Sequence, residues 1–83
     1  MSKIIMGIQL QQRHETATSV QNLLTKFGCS IKTRLGVHQA SEDSCSEQGL
    51  IILEFMDNAD KEAKELEREL SEVKNVVVKM MEF

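Results

Sequence analysis

The apolar residues of this 83-residue chain change their spacing along the sequence, and that change limits the folds that the chain can adopt. Over residues 3–11 they recur at every second position, which is typical of a strand with one buried face. Over residues 14–27 they recur at helical spacing, and Gly28 follows where a left-handed C-cap residue is wanted. The later segments are predicted strands over 29–38 and 49–56, a helix with an inner face from Ala59 to Val73, and a strand over 75–83.

The predicted order is therefore strand-helix-strand-strand-helix-strand, in a single domain that spans residues 1–83. Right-handed crossovers place both helices on one face of a four-stranded antiparallel sheet. Asp57 or Asn58 is positioned to cap the second helix. The sequence thus predicts an α+β fold, a ferredoxin-like βαββαβ sandwich.

The sheet face that lies away from the helices is predicted to be partly apolar. Ile5 lies on the opposite face from Ile4 and Met6, and the third and fourth strands carry apolar residues at both odd and even positions. A bare apolar face on a small domain indicates a protein partner. Because the chain offers no second domain, we expect a homodimer or a higher homo-oligomer.

The second predicted strand divides its residues between two faces. Arg34 is a candidate for binding an anion at a subunit boundary, with a solvated or paired cation as the alternative. Gly36 can let a ligand or a second subunit approach the backbone, with a bulge or bend as the alternative. The candidate ligand-binding residues are Arg34, Gly36 and His38; the opposite face is assigned Cys29, Ile31, Thr33, Leu35 and Val37, with Cys29 in the core.

Residues 39–47 are predicted to be a flexible connection rather than a site, because this polar segment is longer than a usual hairpin loop. His38 and Cys45, together with nearby acidic residues, have the chemistry to bind zinc or nickel. A structural zinc site, however, has four ligands at paired short spacings, which this region lacks. We therefore expect no metal, and His38 and Cys45 are the ligands of the alternative interpretation.

Composition disfavours several other functions. The formal net charge is −3, and Tyr and Trp are absent, which disfavours direct binding of nucleic acid. No apolar run reaches the roughly 18 residues of a membrane span, and the first residues lack a signal-peptide pattern. Two cysteines are too few for a disulfide framework, so we expect a cytoplasmic protein. The glycines are isolated and Cys45 has no activating neighbour, so we expect neither an enzyme nor a cofactor.

The stretch "KTRLGVH", followed by a loop and "GLIILEF", resembles the second and third strands of the iron-only hydrogenase system regulators. The resemblance runs nearly end to end, and its most specific pattern is Arg34-Leu35-Gly36-Val37. It implies an ACT-like ferredoxin-fold domain that forms oligomers and is related to the C-terminal domain of the nickel-responsive repressor. The sensor's His-x-His pattern before a Cys is only partly kept here, because Gly36 replaces the first His while His38 and Cys45 remain.

The resemblance implies a non-catalytic regulatory or sensor module linked to an iron-only hydrogenase system. Such a module would act through oligomerisation, with a small-molecule effector as the candidate ligand. A metal-binding domain using His38 and Cys45 is the first alternative, and a purely structural oligomerisation domain is the second.

Overall fold

The elements follow one another in the predicted order. The computed structural model describes residues 3–11, 13–40 and 45–83, and their side chains within 3–11, 16–36 and 49–83. The described elements are β1 (Ile4–Leu10), α1 (Arg13–Lys26), a 3-10 turn (Gly28–Ser30), β2 (Ile31–Ala40), β3 (Cys45–Phe55), α2 (Asp60–Ser71) and β4 (Val76–Glu82). Among these residues, no helix is long and apolar enough to cross a membrane.

The strands form one antiparallel sheet in the order β2-β3-β1-β4. β1 and β3 are central, and β2 and β4 are the edges. This order and the two crossover helices are those of the ferredoxin-like fold, so the predicted fold class is confirmed.

The core lies between the sheet and the two helices. Every second residue of β1 is buried, as the alternation predicts, and α2 contributes an apolar stripe at helical spacing. The residues that this core buries are Ile4, Met6, Ile8, Leu10, Val20, Leu24, Phe27, Leu53, Phe55, Ala59, Ala63, Leu66 and Leu70. Since burial removes apolar surface from water, these contacts supply most of the stabilisation that the fold has.

The start of β2 departs from the predicted alternation. Ile31 pairs with Phe55 and Thr33 pairs with Glu54, so β2 holds one more residue than β3 between these pairs. Such a bulge reverses the face of every later residue relative to Ile31. Ile31 therefore packs against the core, whereas Thr33 and the residues at alternate positions after it lie on the other face of the sheet.

The prediction that Cys29 belongs to the core was wrong. Cys29 lies in the 3-10 turn before β2 and is exposed, with a free thiol. The strand begins two residues later than predicted, so the strand alternation does not extend to Cys29.

The two predicted caps also differ from the structure. No described glycine has a positive φ, and α1 passes into the 3-10 turn instead of ending at a left-handed Gly28. Asn58 and Asn75 hold the left-handed positions, with φ of 67° and 66°. α2 has Ala59 as its N-cap residue and no side-chain hydrogen bond there, so neither Asp57 nor Asn58 caps it.

The predicted bounds of the β2–β3 connection, residues 39–47, were wrong. Ala40 pairs with Cys45, so both strands continue into the segment predicted to be loop. Polar residues can extend a hairpin because ladder pairing uses the backbone and requires no apolar side chain. The rest of the predicted connection, residues 41–44, lies outside the described residues.

We expect Leu66→Ala to lower the free energy of unfolding by about 2–5 kcal/mol, because it leaves a cavity at a fully buried position. Chemical denaturation followed by circular dichroism measures the change. Glu65→Ala, at the exposed neighbouring position of the same helix, is the control and should change the free energy by less than about 0.5 kcal/mol. Equal losses in the two variants would contradict this description of the core.

Candidate functional site

One face of the sheet carries neither helix, and we call it the open face. Directly paired residues of antiparallel strands share a face, so the strand register assigns its members. Three cross-strand rows result, from β2 to β4. The first row is Thr33, Glu54, Ile5 and Met81; the middle row is Leu35, Ile52, Gly7 and Lys79; the third contains Leu50, Gln9 and Val77.

The open face has exposed apolar side chains on both of its edge strands. Leu35 on β2 is 54% exposed and Met81 on β4 is 57% exposed, although these are edge strands on opposite sides. Leu50 on β3 and Val77 on β4 are also exposed by more than a third. A contiguous apolar patch of this kind marks an interaction surface, whereas single exposed apolar residues need no explanation.

A shallow hollow lies at the middle of the open face, above Gly7. Its volume is about 260 Å³. A Cβ atom added at Gly7 would meet nothing within 4 Å, so the packing of this chain does not require a glycine there. The hollow is lined by Ile5, Met6, Gly7, Leu50, Ile52, Lys79 and Met81.

A small polar cluster around Glu54 occupies one end of the open face. The Thr33 hydroxyl donates a hydrogen bond of 3.1 Å to Glu54 Oε1, and Lys3 Nζ lies 3.5 Å from Glu54 Oε2. The hydrogen bond from Thr33, assisted by the charges of Lys32 and Lys3, holds the pKa of the Glu54 carboxyl below its ordinary value. Glu54 thus stays ionised beside the apolar residues of the open face.

The candidate ligand-binding residues lie on the other side of the sheet from this hollow. Arg34 and Gly36 pair with Leu53 and Ile51, which places them at alternate positions on the helix side of edge strand β2, and His38 pairs with Gly49. The prediction that Arg34 and Gly36 share a face is confirmed. Both are exposed, and the Arg34 guanidinium forms no ion pair with any described carboxylate.

The two alternative metal ligands lie in the same hairpin. His38 is opposite Gly49 and Cys45 is opposite Ala40, so their backbone positions occupy neighbouring parts of the β2–β3 ladder. The side chains of both residues lie outside the described part of the chain. Within the residues whose side chains are described, no group of three His, Cys, Asp or Glu could hold a metal ion.

Sequence reasoning anticipated the bare face but missed the hollow and the Glu54 cluster. The only available signal for the hollow was Gly7, which follows Ile5 on the exposed parity of an otherwise apolar strand. The cluster requires the bulge in β2, because Thr33 reaches Glu54 only after the register shift.

Comparison with known proteins identifies the fold. No protein-family model matches this chain, and neither does any curated protein. An uncharacterized protein from Thermotoga maritima superposes with a TM-score of 0.79 at 22% identity, over 100% of this chain and 99% of that one.

Two further solved structures have the same fold. The ACT domain of a GTP pyrophosphokinase from Chlorobium tepidum gives a TM-score of 0.66 at 20% identity, over 95% of this chain and 96% of that one. CPII, a nitrogen regulatory PII-like protein from Thiomonas intermedia K12, was solved with ADP, AMP and bicarbonate. It gives a TM-score of 0.64 at 16% identity, over 100% of this chain and 91% of that one. These similarities show an ACT-like form of the ferredoxin-like fold.

We expect Thr33→Val to raise the pKa of Glu54 towards its ordinary value, because the substitution removes the hydrogen bond that contributes most to lowering it. A carbon-13 NMR titration of the Glu54 carboxyl measures this pKa. Thr25→Val, at an exposed position of α1, is the control and should leave it unchanged.

The sign of the linked stability effect follows from the direction of the shift. A carboxyl with a lowered pKa in the folded chain stabilises it above the ordinary pKa, and that contribution is lost as the pH falls through the folded value. Below the ordinary pKa of a glutamate carboxyl, the free energy of unfolding should therefore depend less on pH in Thr33→Val than in the wild type. A Glu54 pKa that is the same in both chains would contradict the role given to Thr33.

Proposed function

We propose that this chain is a non-catalytic regulatory or sensor module of the cytoplasm that works by self-association through its open face. The observation that carries the proposal is the exposure of large apolar side chains on both edge strands of one sheet face. Chains of this size bury only about 60–65% of their unfolded surface, so covering the open face would add to a small margin of stability.

The fold neighbours support a regulatory role. One is a nitrogen regulatory protein bound to two adenine nucleotides and bicarbonate, and another is the ACT domain of a GTP pyrophosphokinase. A domain of this shape can therefore serve as a receptor for small anions. In this chain the candidate receptor is the helix side of β2, where the exposed Arg34 and Gly36 offer a cation and an accessible backbone.

The link to an iron-only hydrogenase system belongs to the same proposal. It rests on the pattern Arg34-Leu35-Gly36-Val37 and on the order of the elements around it. The described elements are all used in the ferredoxin-like fold and include no DNA-binding motif. The module would therefore act through a protein partner that binds one of its assembly states.

Native mass spectrometry of freshly purified protein tests the proposal, because one spectrum reports the subunit count, any retained ligand and any metal. We expect a dimer or a higher oligomer without stoichiometric metal. Leu50→Glu should shift the protein towards monomer, because it places a charge on the apolar part of the open face, where Leu50 is exposed in the single chain. Gln21→Glu is the matched control, since it adds the same charge on the exposed surface of α1 and should leave the oligomer intact.

Two results would contradict this proposal. A wild-type chain that remains monomeric at tens of micromolar would exclude self-association as its mode of action. About one zinc or nickel per chain, lost in Cys45→Ala, would favour the metal-binding alternative in which His38 and Cys45 are ligands.

A further inference from the structure

We propose that a second copy of this chain stacks on the open face about a two-fold axis parallel to the strands, and that Ile52 of each copy fills the hollow above Gly7 of the other. This inference deepens the proposed function and rests on it, because it specifies the contact through which the chain self-associates. Four observations on the open face support it.

The first observation is the width of the apolar surface. Four strands about 4.8 Å apart make a face roughly 19 Å wide, whereas a helix is about 10 Å across and a small ligand is narrower still. Exposed Leu35 and Met81 lie on the two outermost strands, so an occupant must reach from one edge to the other. A second sheet of the same width meets this requirement.

The area is also sufficient for a dimer of this small chain. A face of this width and about seven residues long has a planar footprint of roughly 450 Å² per copy. Two such faces, with the roughness of side chains added, approach the ~1,000 Å² that a specific interface needs.

The second observation is the arrangement of the middle row. Its order from β2 to β4 is Leu35, Ile52, Gly7 and Lys79, and the centre of the face lies between Ile52 and Gly7. Rotation by 180° about an axis that runs along the strands through this centre exchanges β3 with β1. Ile52 of one copy then lies over Gly7 of the other, and the symmetry makes this contact twice. Because packed sheets differ in direction by about 30°, the middle row is the row that stays aligned best.

The alternative two-fold axis, running across the strands through the same centre, gives a poorer contact. It places Gly7 over Gly7 and Ile52 over Ile52. Both hollows would remain empty while two large side chains met each other, and empty space of this kind is unfavourable at a protein interface.

The third observation is that the folded chain itself makes no use of the glycine. A Cβ at position 7 would meet nothing within 4 Å, and glycine weakens the interior of a strand. A group from another molecule that occupies the space above Gly7 would explain why this position has no side chain. The hollow of about 260 Å³ has room for one branched apolar side chain.

The fourth observation is the charge pattern. Lys79 forms no ion pair with any described residue of its own chain, and Glu54 lies two strands away from it and one row along. In the proposed stack, Lys79 of one copy lies only one strand spacing and one row from Glu54 of the other. The axis across the strands would keep the two residues two strands apart. Charge complementarity thus favours the same axis as the packing.

The test enlarges the side chain at position 7 and shortens the side chain at position 52, separately and together. Sedimentation equilibrium measures the dimer dissociation constant of each variant. Gly7→Leu fills the hollow and should raise the dissociation constant at least about tenfold. Ile52→Ala removes the side chain that fills it and should also weaken the dimer. The double variant should bind within about threefold of wild type, because the side chain introduced at position 7 of one copy then occupies the space that Ile52 of the other has vacated.

Gly28→Leu is the matched control, since it adds the same side chain to an equally open glycine in the 3-10 turn, away from the open face. It should leave the dissociation constant unchanged. Thermal unfolding is followed by circular dichroism at protein concentrations below the dimer dissociation constant, and it shows whether the monomer of each variant folds.

The results separate this inference from the proposed function. A dimeric wild type whose dissociation constant is insensitive to Gly7→Leu, or equally sensitive to Gly28→Leu, would overturn the stacking and leave self-association standing. A double variant no tighter than Gly7→Leu would overturn the contact between Ile52 and Gly7. A wild type without any dimer would overturn both proposals.

Discussion

The pairing of β1 on both of its sides is the constraint on which the rest of the structure depends. β1 joins β3 to β4, and its alternate residues Ile4, Met6, Ile8 and Leu10 form the floor on which the helices pack. When one set of alternate residues in a strand is buried in the core, the other set must lie on the opposite face of the sheet, because a shift of one residue would exchange the two faces. The burial of Met6 and Ile8 therefore also fixes Gly7 at the centre of the open face.

This single-sided core explains why one face of the sheet is left open. Both helices are used on one side of the sheet, and the described part of the chain provides no element for the other side. The edge strands carry exposed cations, Lys32 and Arg34 on β2 and Lys79 on β4, which oppose pairing of one edge with another. An open face bounded by charged edges favours stacking of sheets over extension of the sheet at its edges.

The sequence allowed the fold to be predicted wherever packing and periodicity agree. β1 and α2 are such cases, since their apolar positions are those that the structure buries. The start of β2 is the contrary case. Its residues from Ile31 to Val37 keep a perfect alternation in the sequence, yet the bulge sends Ile31 to the core and Leu35 to the open face. A bulge changes the backbone register without changing the pattern of side chains, so periodicity alone carries no signal for it. The exposure of Cys29 and the pairing of Ala40 with Cys45 were missed for the related reason that strand ends are set by tertiary pairing.

The sequence predicted the open face of the sheet but not the hollow in it, and Gly7 shows why. In the sequence a glycine within a strand signals weakness, because it has no side chain to pack and loses more entropy than other residues on folding. Local rules and global structure usually agree in a folded protein, and a position that breaks them without benefit to the monomer suggests a function outside it. At Gly7 the isolated chain bears the entropic cost and leaves a hollow in its own surface. In the proposed stack, Ile52 of a second copy occupies this hollow, and that contact would compensate for the cost that the isolated chain bears.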